Sequence, residues 1–513
     1  MMKTPCVYIV GTGPGDPSLI SVRGQRILQA ADVVVYDHQV PTALLQVAPS
    51  SAERIDVGPA APRAFDQEAI SILLAEKVAE GKSVVRLKWG DPFVFDSGGK
   101  EALLLREQGV HFEIVPGIPA AIGGAAYAGI PLTYPGADDV VIFVRGHEGE
   151  SEEAPDVNWN GLASVGGTIV CYAGSRQIGA ISKALVSHGR ADDEPAALVY
   201  NPTTPAQQTV TGTLGTIASD ARIDMPALFV IGRVAALREH LRWFDDRPLF
   251  GRRVVVTRSS EQAGELVDML RDRGADAIPS PTIRITAAED SGPLDQAAAD
   301  AATFDWIIFS SANAVDYFIA RLLATSDLRE LKGVKLCTVG PATAARLLHY
   351  GIRSDLTPVE YRAEAVMDAL EAAGSLKGAR VLLPRTDIGR DVLLDGLTKA
   401  GAIVTDVVAY RTTLAQGDTG GRDIYRMLLD GEIDAVTFTS ASTVRNFAQI
   451  HGAEQAADLL RGTVVASIGP VTSEAGEQLG ISTTVMPKQY TIPDLVDALV
   501  EHFRGKEPRA HGR

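Results

Sequence analysis

This chain of 513 residues has little cysteine and lacks any long apolar run. Its cysteines, Cys6, Cys171 and Cys337, are far apart and lack metal-ligand spacing, which argues against a disulfide framework and against a zinc site. No apolar run approaches the roughly 18 residues of a membrane-spanning helix, and the N-terminus lacks the pattern of a secretory signal. We therefore expect a soluble, cytoplasmic protein with no membrane partner and no metal.

The chain also lacks an excess of basic residues. It has 48 Lys and Arg residues against 64 Asp and Glu residues, so its formal net charge is −16. Without a basic tail or patch to offset repulsion from phosphates, we expect no nucleic-acid partner. A polyanionic small substrate is not excluded, because a cleft can be locally basic. The length is too great for one core and predicts two to four domains.

In the N-terminal half, short apolar runs alternate with helical stretches, which predicts a mostly parallel sheet flanked by helices. Two turns, Gly11–Pro17 and Gly90–Pro92, each follow a predicted strand. Ligands of open α/β proteins bind at this carboxyl edge, so the two turns are expected to form a cleft. A second α/β unit starts near Val140 and ends with a predicted helix at Ala235–Phe244.

The C-terminal half contains an internal repeat. Asp305–Phe318 is similar to Asp434–Phe447, and Leu336–Thr343 to Val465–Thr472, both at an offset of 129 residues (434 − 305 and 465 − 336). The common offset predicts two similar α/β lobes. In each copy a buried strand ends in hydroxyl residues that can cap the next helix, and a Gly-Pro turn opens another helix. Helix N-termini facing a cleft would suit a carboxylate-rich ligand.

Several polar residues at predicted strand ends have two interpretations. Asp37 is either a cap or turn residue or a buried base, and Asp91 is either ordinary turn chemistry or part of a site. Tyr410 is either a packing residue or a site residue. Arg385 and Arg390 are either solvated charges or bidentate ligands of carboxylates. Helix capping and ligand contact are equally open for the strand-end hydroxyl residues Ser310, Ser311, Thr439, Ser440 and Ser442.

Residues 5–245 resemble uroporphyrinogen-III C-methyltransferase, a member of the tetrapyrrole methylases. The matching segments are Val10–Pro17, Ala31–Asp37, Val84–Phe95, Val115–Ile118, Ala128–Thr133 and Pro226–Arg233. The resemblance implies a two-domain methylase fold (about 5–136 and 137–245), S-adenosylmethionine as donor, uroporphyrinogen III as acceptor, Asp37 as base and a possible homodimer. It places donor binding at Pro14, Trp89, Gly90, Asp91, Val94, Pro119, Ala120, Ala173 and Pro202.

The sequence departs from this family at several site positions. Trp89 replaces a glycine, Ser97 an arginine and Pro59 a lysine; Ala173 replaces a methionine and Pro202 a glycine. The changes remove cations expected to hold acceptor carboxylates and a methionine expected to pack on the donor. Two hypotheses follow: a divergent but active methyltransferase, or a methylase domain kept for its fold.

Residues 249–508, after a linker at 246–248, resemble uroporphyrinogen-III synthase. The resemblance lies in the repeated strand-end hydroxyls, both Gly-Pro turns, Pro358–Glu364, Leu383–Arg385 with Arg390, and Val408–Tyr410. It implies two flavodoxin-like lobes, about 249–284 plus 414–508 and about 285–413. It also implies cyclisation of hydroxymethylbilane with inversion of ring D and no cofactor. Tyr410 would help the hydroxyl leave, and the substrate would contact Arg385, Arg390, Ser310, Ser311, Thr439, Ser440, Ser442, Gly340, Gly469 and Tyr361.

Together these resemblances predict a two-module enzyme of tetrapyrrole biosynthesis that acts on small-molecule tetrapyrroles. A protein of another class remains as an alternative, because paired α/β lobes around a cleft also describe ligand-binding sensors. Replacement of Tyr410 by Phe would distinguish the two, since it should slow ring closure in a synthase and spare binding in a sensor.

Overall fold

The structure is a computed structural model and describes residues 5–59, 65–146, 151–174, 176–222, 224–358, 363–387, 392–414, 422–452 and 455–506. Within these ranges the strands form four sheets, which we number first to fourth in chain order. No helix of the described ranges is long and apolar enough to cross a membrane.

The first sheet is parallel throughout, as predicted, with the order β3-β2-β4-β1-β5. Its central strands are rich in valine and are buried on both faces: Val34 packs in one apolar cluster, and Val33 and Val35 pack in the other. The strands are β1 Val7–Gly11, β2 Val33–Tyr36, β3 Glu53–Asp56, β4 Val84–Lys88 and β5 Phe112–Val115. The helices are α1 Val22–Leu28, α2 Thr42–Leu45, α3 Gln67–Ala79, α4 Gly98–Glu107 and α5 Ala120–Tyr127, with a 3-10 helix at Pro17–Leu19.

The second sheet is mixed. Strands β6 and β7 are parallel, and the remaining pairs in the order β6-β7-β10-β8-β9 are antiparallel. Its strands are β6 Val141–Arg145, β7 Thr168–Ala173, β8 Pro195–Tyr200, β9 Gln208–Thr213 and β10 Ala227–Ile231. Its helices are α6 Trp159–Val165, α7 Ile178–Ser187 and α8 Arg238–Leu241, with 3-10 helices at Ile217–Asp220 and Arg233–Leu237.

The predicted helix Ala235–Phe244 is wrong in its C-terminal part, because α8 ends at Leu241. Arg242 is already extended, with φ −61° and ψ 136°. Tertiary contacts override the helical pattern: the Trp243 indole donates to the Ala126 carbonyl at 2.9 Å. The next ring, Phe244, packs between Tyr127 and Phe250, with centroids 4.7 and 5.3 Å away. The residues that join the two halves of the chain are therefore packed at this point.

The third and fourth sheets share the C-terminal half. The third is parallel, with the order β12-β11-β18-β19; the fourth has the order β13-β17-β16-β14-β15, and β13 is antiparallel to β17. The strands are β11 Arg253–Val256, β12 Asp276–Pro279, β13 Ile283–Ala287, β14 Trp306–Phe309, β15 Lys335–Thr338, β16 Arg380–Thr386, β17 Ile403–Leu414, β18 Ala435–Phe438 and β19 Val464–Ser467. The helices are α9 Ser260–Asp272, α10 Gly292–Ala299, α11 Ala312–Thr325, α12 Pro341–His349, α13 Ala363–Ala373, α14 Val392–Lys399, α15 Ile424–Leu429, α16 Ala441–His451, α17 Ala456–Leu459, α18 Pro470–Glu477 and α19 Ile492–Phe503, with 3-10 helices at Ala301–Thr303 and Leu328–Leu331.

The internal repeat is confirmed element by element. The unit β14–α11–β15–α12 contributes its two strands to the fourth sheet, and the unit β18–α16–β19–α18 contributes its two strands to the third. Each element of the second unit starts 129 residues after its counterpart: 306 and 435, 312 and 441, 335 and 464, 341 and 470. The chain begins the third sheet, builds the fourth and returns to the third. The domain and lobe boundaries given above stay predictions.

Candidate functional site

Three loops meet at the carboxyl edge of the first sheet. The backbones of Gly13 and Gly90 pair, with Gly90 N donating to Gly13 O at 2.9 Å. A Cβ on Gly117 would collide with the Gly90 carbonyl, so the loops approach as closely as glycine allows. Both carboxylate oxygens of Asp91 accept hydrogen bonds from these loops: one from Gly117 N at 3.0 Å and the other from Phe93 N at 2.8 Å. Asp91 therefore fixes the loops.

The structure brings Pro14, Trp89, Gly90 and Ala120 together. The Trp89 indole Nε1 donates to the Pro14 carbonyl at 3.1 Å, and its ring packs against the apolar cluster that contains Ala120. A Cβ on Gly90 would lie 3.8 Å from Ala120 N. The indole thus lies in the gap between two of the predicted donor-binding positions.

Two of the other predicted donor-binding residues, Pro119 and Pro202, lie at α5. Pro202 packs on α5, and a Cβ on Gly124 would lie 2.8 Å from its Cβ. Pro119 caps the N-terminus of α5, and Val94 is half-buried in the loop after β4. Ala173 differs, because its side chain packs in an apolar cluster separate from that of Ala120. Any donor contact from Ala173 would have to come from its backbone.

Asp37 belongs to a buried charge network that sequence reasoning missed. Arg86 is fully buried, and it donates to Asp37 Oδ1 from Nη2 at 2.8 Å and to Glu101 Oε2 from Nε at 3.2 Å. The Lys88 Nζ lies 2.7 Å from Asp96 Oδ1, 3.1 Å from Glu101 Oε1 and 3.5 Å from Asp37 Oδ2. Both Asp37 oxygens are thus engaged by cations. The sequence signal was two basic residues at alternate positions of an otherwise apolar strand.

Tyr410 lies within β17, paired with Ala287 of β13 and Thr386 of β16, rather than at the strand end expected from the sequence, because β17 continues to Leu414. Its ring is almost fully buried. Its hydroxyl is 3.0 Å from Ser311 Oγ. The ring stacks on Tyr317, with centroids 5.8 Å apart. Burial raises the pKa of the Tyr410 phenol above its ordinary value, so the group keeps its proton at physiological pH. The site can therefore supply a proton from an oriented phenol.

The capping interpretation is confirmed for two of the strand-end hydroxyl residues. Ser311 Oγ accepts from Ala314 N at 3.1 Å at the start of α11. Ser440 Oγ accepts from Thr443 N at 3.3 Å at the equivalent start of α16, where a capping box forms. Ser442 Oγ lies 2.9 Å from Ser440 Oγ. Contact of these hydroxyls with a ligand stays a prediction.

The remaining predicted substrate-contact residues of the C-terminal half include helix caps, an arginine already paired with a carboxylate, and two residues outside the described ranges. Ser310 and Thr439 immediately precede the two serine caps, and Gly340 and Gly469 cap α12 and α18 ahead of a proline. The Arg385 guanidinium already forms a bidentate pair with Asp406, with Nε and Nη2 each 2.7 Å from an oxygen. A substrate carboxylate would have to displace Asp406. Tyr361 and Arg390 lie outside the described residues.

One basic residue of the third-sheet side also escaped sequence reasoning. Arg258 follows β11 and donates from Nε to Gln262 Oε1 at 3.2 Å. Gln262 Nε2 in turn donates to Asn313 Oδ1 at 2.9 Å, which joins α9 to α11 across the two sheets. The available signal was a basic residue between a buried strand and a helix start, the position that also carries the hydroxyl residues.

Comparison with known proteins gives matches to both halves. The tetrapyrrole (corrin/porphyrin) methylases match residues 6–218, and uroporphyrinogen-III synthase HemD matches residues 264–497. The porphyrin biosynthesis protein HemD of Ruminiclostridium josui is 34% identical over 506 residues, which is 98% of each chain. The S-adenosyl-L-methionine-dependent uroporphyrinogen III methyltransferase of Methanosarcina barkeri is 42% identical over 239 residues, 46% of this chain and 94% of that protein. A solved structure of uroporphyrin-III C-methyltransferase from Thermus thermophilus with S-adenosylhomocysteine is 34% identical, covers 45% of this chain and 92% of that chain, and has a TM-score of 0.38.

Proposed function

The chain belongs to the family of HemD porphyrin biosynthesis proteins, and from this premise we propose that its C-terminal half cyclises hydroxymethylbilane to uroporphyrinogen III with inversion of ring D. The N-terminal half belongs to the tetrapyrrole methylases, so the protein is a two-module enzyme of tetrapyrrole biosynthesis. The observation that supports the synthase assignment most directly is the buried, protonated Tyr410 on β17 of the fourth sheet.

Tyr410 acts as the general acid in this proposal. Departure of the substrate hydroxyl as water breaks a C–O bond and requires a proton, which the phenol donates. The Ser311 hydroxyl lies 3.0 Å from the phenol oxygen and fixes its direction. The helix N-termini at Gly340 and Gly469 offer backbone N–H groups to substrate carboxylates. Holding the two chain ends in the ring-closing geometry supplies the remaining acceleration.

Replacement of Tyr410 by Phe tests the synthase assignment. The variant keeps the buried ring and loses only the acid, so formation of the type III isomer should slow about 100-fold. The measurement is chromatographic separation of the type I and type III porphyrins after oxidation. Tyr350→Phe is the matched control, because Tyr350, at the C-terminus of α12, donates to Asp316 of α11 at 3.0 Å and has no role in the proposal. A Tyr410→Phe variant with the wild-type rate would refute the role, and a wild type that binds hydroxymethylbilane without closing it would favour a sensor.

For the N-terminal half we propose that S-adenosylmethionine binds at the loops around Pro14, Gly90 and Ala120. Bound there, the donor would supply a methyl group for transfer to uroporphyrinogen III, the product of the other half. Linking the two modules would raise the local concentration of that product at the methylase. Asp37 is the proposed base, although proton transfer to it would have to replace one of its contacts with Arg86 or Lys88.

Trp89 decides between an active methylase and one kept for its fold. The indole lies between Pro14 and the Ala120 cluster, so the donor must displace it and its hydrogen bond. We expect Trp89→Gly to bind S-adenosylmethionine about tenfold more tightly than the wild type in calorimetric titration. Trp89→Phe, which loses only the N–H donor, should fall between them. Absence of binding in all three proteins would leave a methylase fold that does not use the donor.

A further inference from the structure

Arg258, at the border of the third and fourth sheets, forms no ion pair with an acidic side chain of the described residues. Other buried arginines of the chain are neutralised: Arg252 lies 3.1 Å from Asp434, and Arg86 pairs with Asp37 and Glu101. Arg258 is also largely shielded from water, but among the described residues no carboxylate forms an ion pair with it. A shielded charge of this kind is unfavourable unless a counter-charge reaches it.

The surroundings of Arg258 favour an anion at this position. Burial lowers the pKa of Arg258, and the nearest opposing influence is Glu265, one helical turn beyond Gln262 on α9. An arginine nevertheless stays protonated under all ordinary conditions. The next residue, Ser259, is fully buried, and its Oγ has no hydrogen-bond partner among the described residues. Among the described residues, this strand end thus carries a cation without a counter-ion and a buried hydroxyl without a hydrogen-bond partner.

Hydrogen bonds connect this position to the start of α11, beside Tyr410. Arg258 Nε donates to Gln262, whose amide donates to Asn313. Asn313 lies two residues after Ser311, whose Oγ is 3.0 Å from the Tyr410 hydroxyl. Only the Nε of the guanidinium takes part in this chain of contacts among the described residues. The two terminal nitrogens remain for a bidentate contact with a carboxylate.

We propose that Arg258 binds a side-chain carboxylate of the linear tetrapyrrole from the side of the cleft opposite Tyr410. This inference rests on the proposed synthase function and assigns it a substrate-binding residue. With one carboxylate fixed at Arg258 and the reacting end at Tyr410, the Gln262–Asn313 contact sets the spacing between the two points. Arg385, in contrast, already forms a bidentate pair with Asp406 through Nε and Nη2.

The test compares steady-state kinetics of Arg258→Met and Arg258→Lys with those of the wild type, using hydroxymethylbilane. Removal of the charge should raise KM about 10- to 100-fold, the range for a lost hydrogen bond to a charged group, with a smaller change in kcat. The Lys variant should recover part of the loss. Arg461→Met is the control, because Arg461 is a surface arginine of the same half, paired with Asp458.

Thermal unfolding separates binding from a structural role. Because the Arg258 charge has no counter-ion among the described residues, Arg258→Met should unfold at the same temperature as the wild type or higher. An unchanged KM, or a large loss of stability that Lys restores together with KM, would overturn the inference. If the wild type and Arg461→Met also fail to form the type III isomer, the proposed function itself is wrong. If both form it normally while Arg258→Met keeps the wild-type KM, only the role of Arg258 is wrong.

Discussion

Replacement of Glu101 by Gln should destabilise the part of the molecule built on the first sheet. Glu101 is fully buried at the start of α4, and it contacts both buried cations: Arg86 at 3.2 Å and Lys88 at 3.1 Å. Glutamine has the same shape, but it removes the charge and turns an N–H₂ group toward donors. Asp37 and Asp96 remain, but neither carboxylate contacts Arg86 through Nε.

The magnitude follows from the burial of both partners. Removing one member of a buried pair costs about 3–5 kcal/mol, because the other charge is left without compensation. Glu107→Gln is the matched control, since Glu107 is exposed in the last turn of the same helix and its replacement should change stability by less than about 0.5 kcal/mol. The contrast between two Glu→Gln changes on α4 isolates the buried network.

Hydrogen exchange measured by mass spectrometry suits this prediction, because global unfolding of a chain with several cores is not two-state. A loss of about 3 kcal/mol should speed exchange of the β4 amides about 100-fold in the Glu101 variant. The Glu107 variant should match the wild type. Wild-type protection of β4 in Glu101→Gln would refute the view that the network stabilises this sheet.

The same residue gives a pH dependence. Burial alone would raise the pKa of Glu101, but the charges of Arg86 and Lys88 outweigh it and hold that pKa below its ordinary value. Its folded pKa is therefore lower than its unfolded pKa near 4.5, so its stabilisation is complete above about pH 4.5 and is lost as the pH falls toward the folded value. The Gln variant should show a shallower loss of protection in this acid range.

Two further predictions use features elsewhere in the chain. Gly98→Ala should destabilise α4 by about 1–3 kcal/mol, because the new Cβ would lie 2.5 Å from the Pro92 carbonyl oxygen. At Gly99 a Cβ would meet nothing within 4 Å, so Gly99→Ala should be neutral or stabilising by up to about 1 kcal/mol. Hydrogen exchange of the α4 amides measures both effects. Burial lowers the pKa of His451, so as the pH falls the unfolded state is protonated before the folded state. The protection of the α16 amides from exchange should therefore decline below about pH 6.5. His451→Phe, which keeps the ring contact with Phe447, should remove this decline.

Much of the fold could be predicted because its signals are local. The apolar valine runs identify β1, β2 and β4, and the common offset of 129 residues locates the repeated units. Serine at the ends of β14 and β18 predicts the caps of α11 and α16, because a cap bonds a backbone group only three residues away. The end of α8 was misjudged because distant contacts of Trp243 and Phe244 outweigh the helical pattern.

The sequence by itself determined the α/β class, the two modules and the positions at which Asp37 and the capping serines follow strands, since each depends on periodicity, capping or motif over short stretches. Only the tertiary structure decided which charges meet. Arg86 reaches Asp37 across 49 residues, Arg385 is matched by Asp406 on the adjacent strand, and Gln262 meets Asn313 across 51 residues. The physical reason is that the sequence around a charged or amide side chain does not identify its partner. The partner is chosen by the strand order and by burial, which exist only in the folded chain.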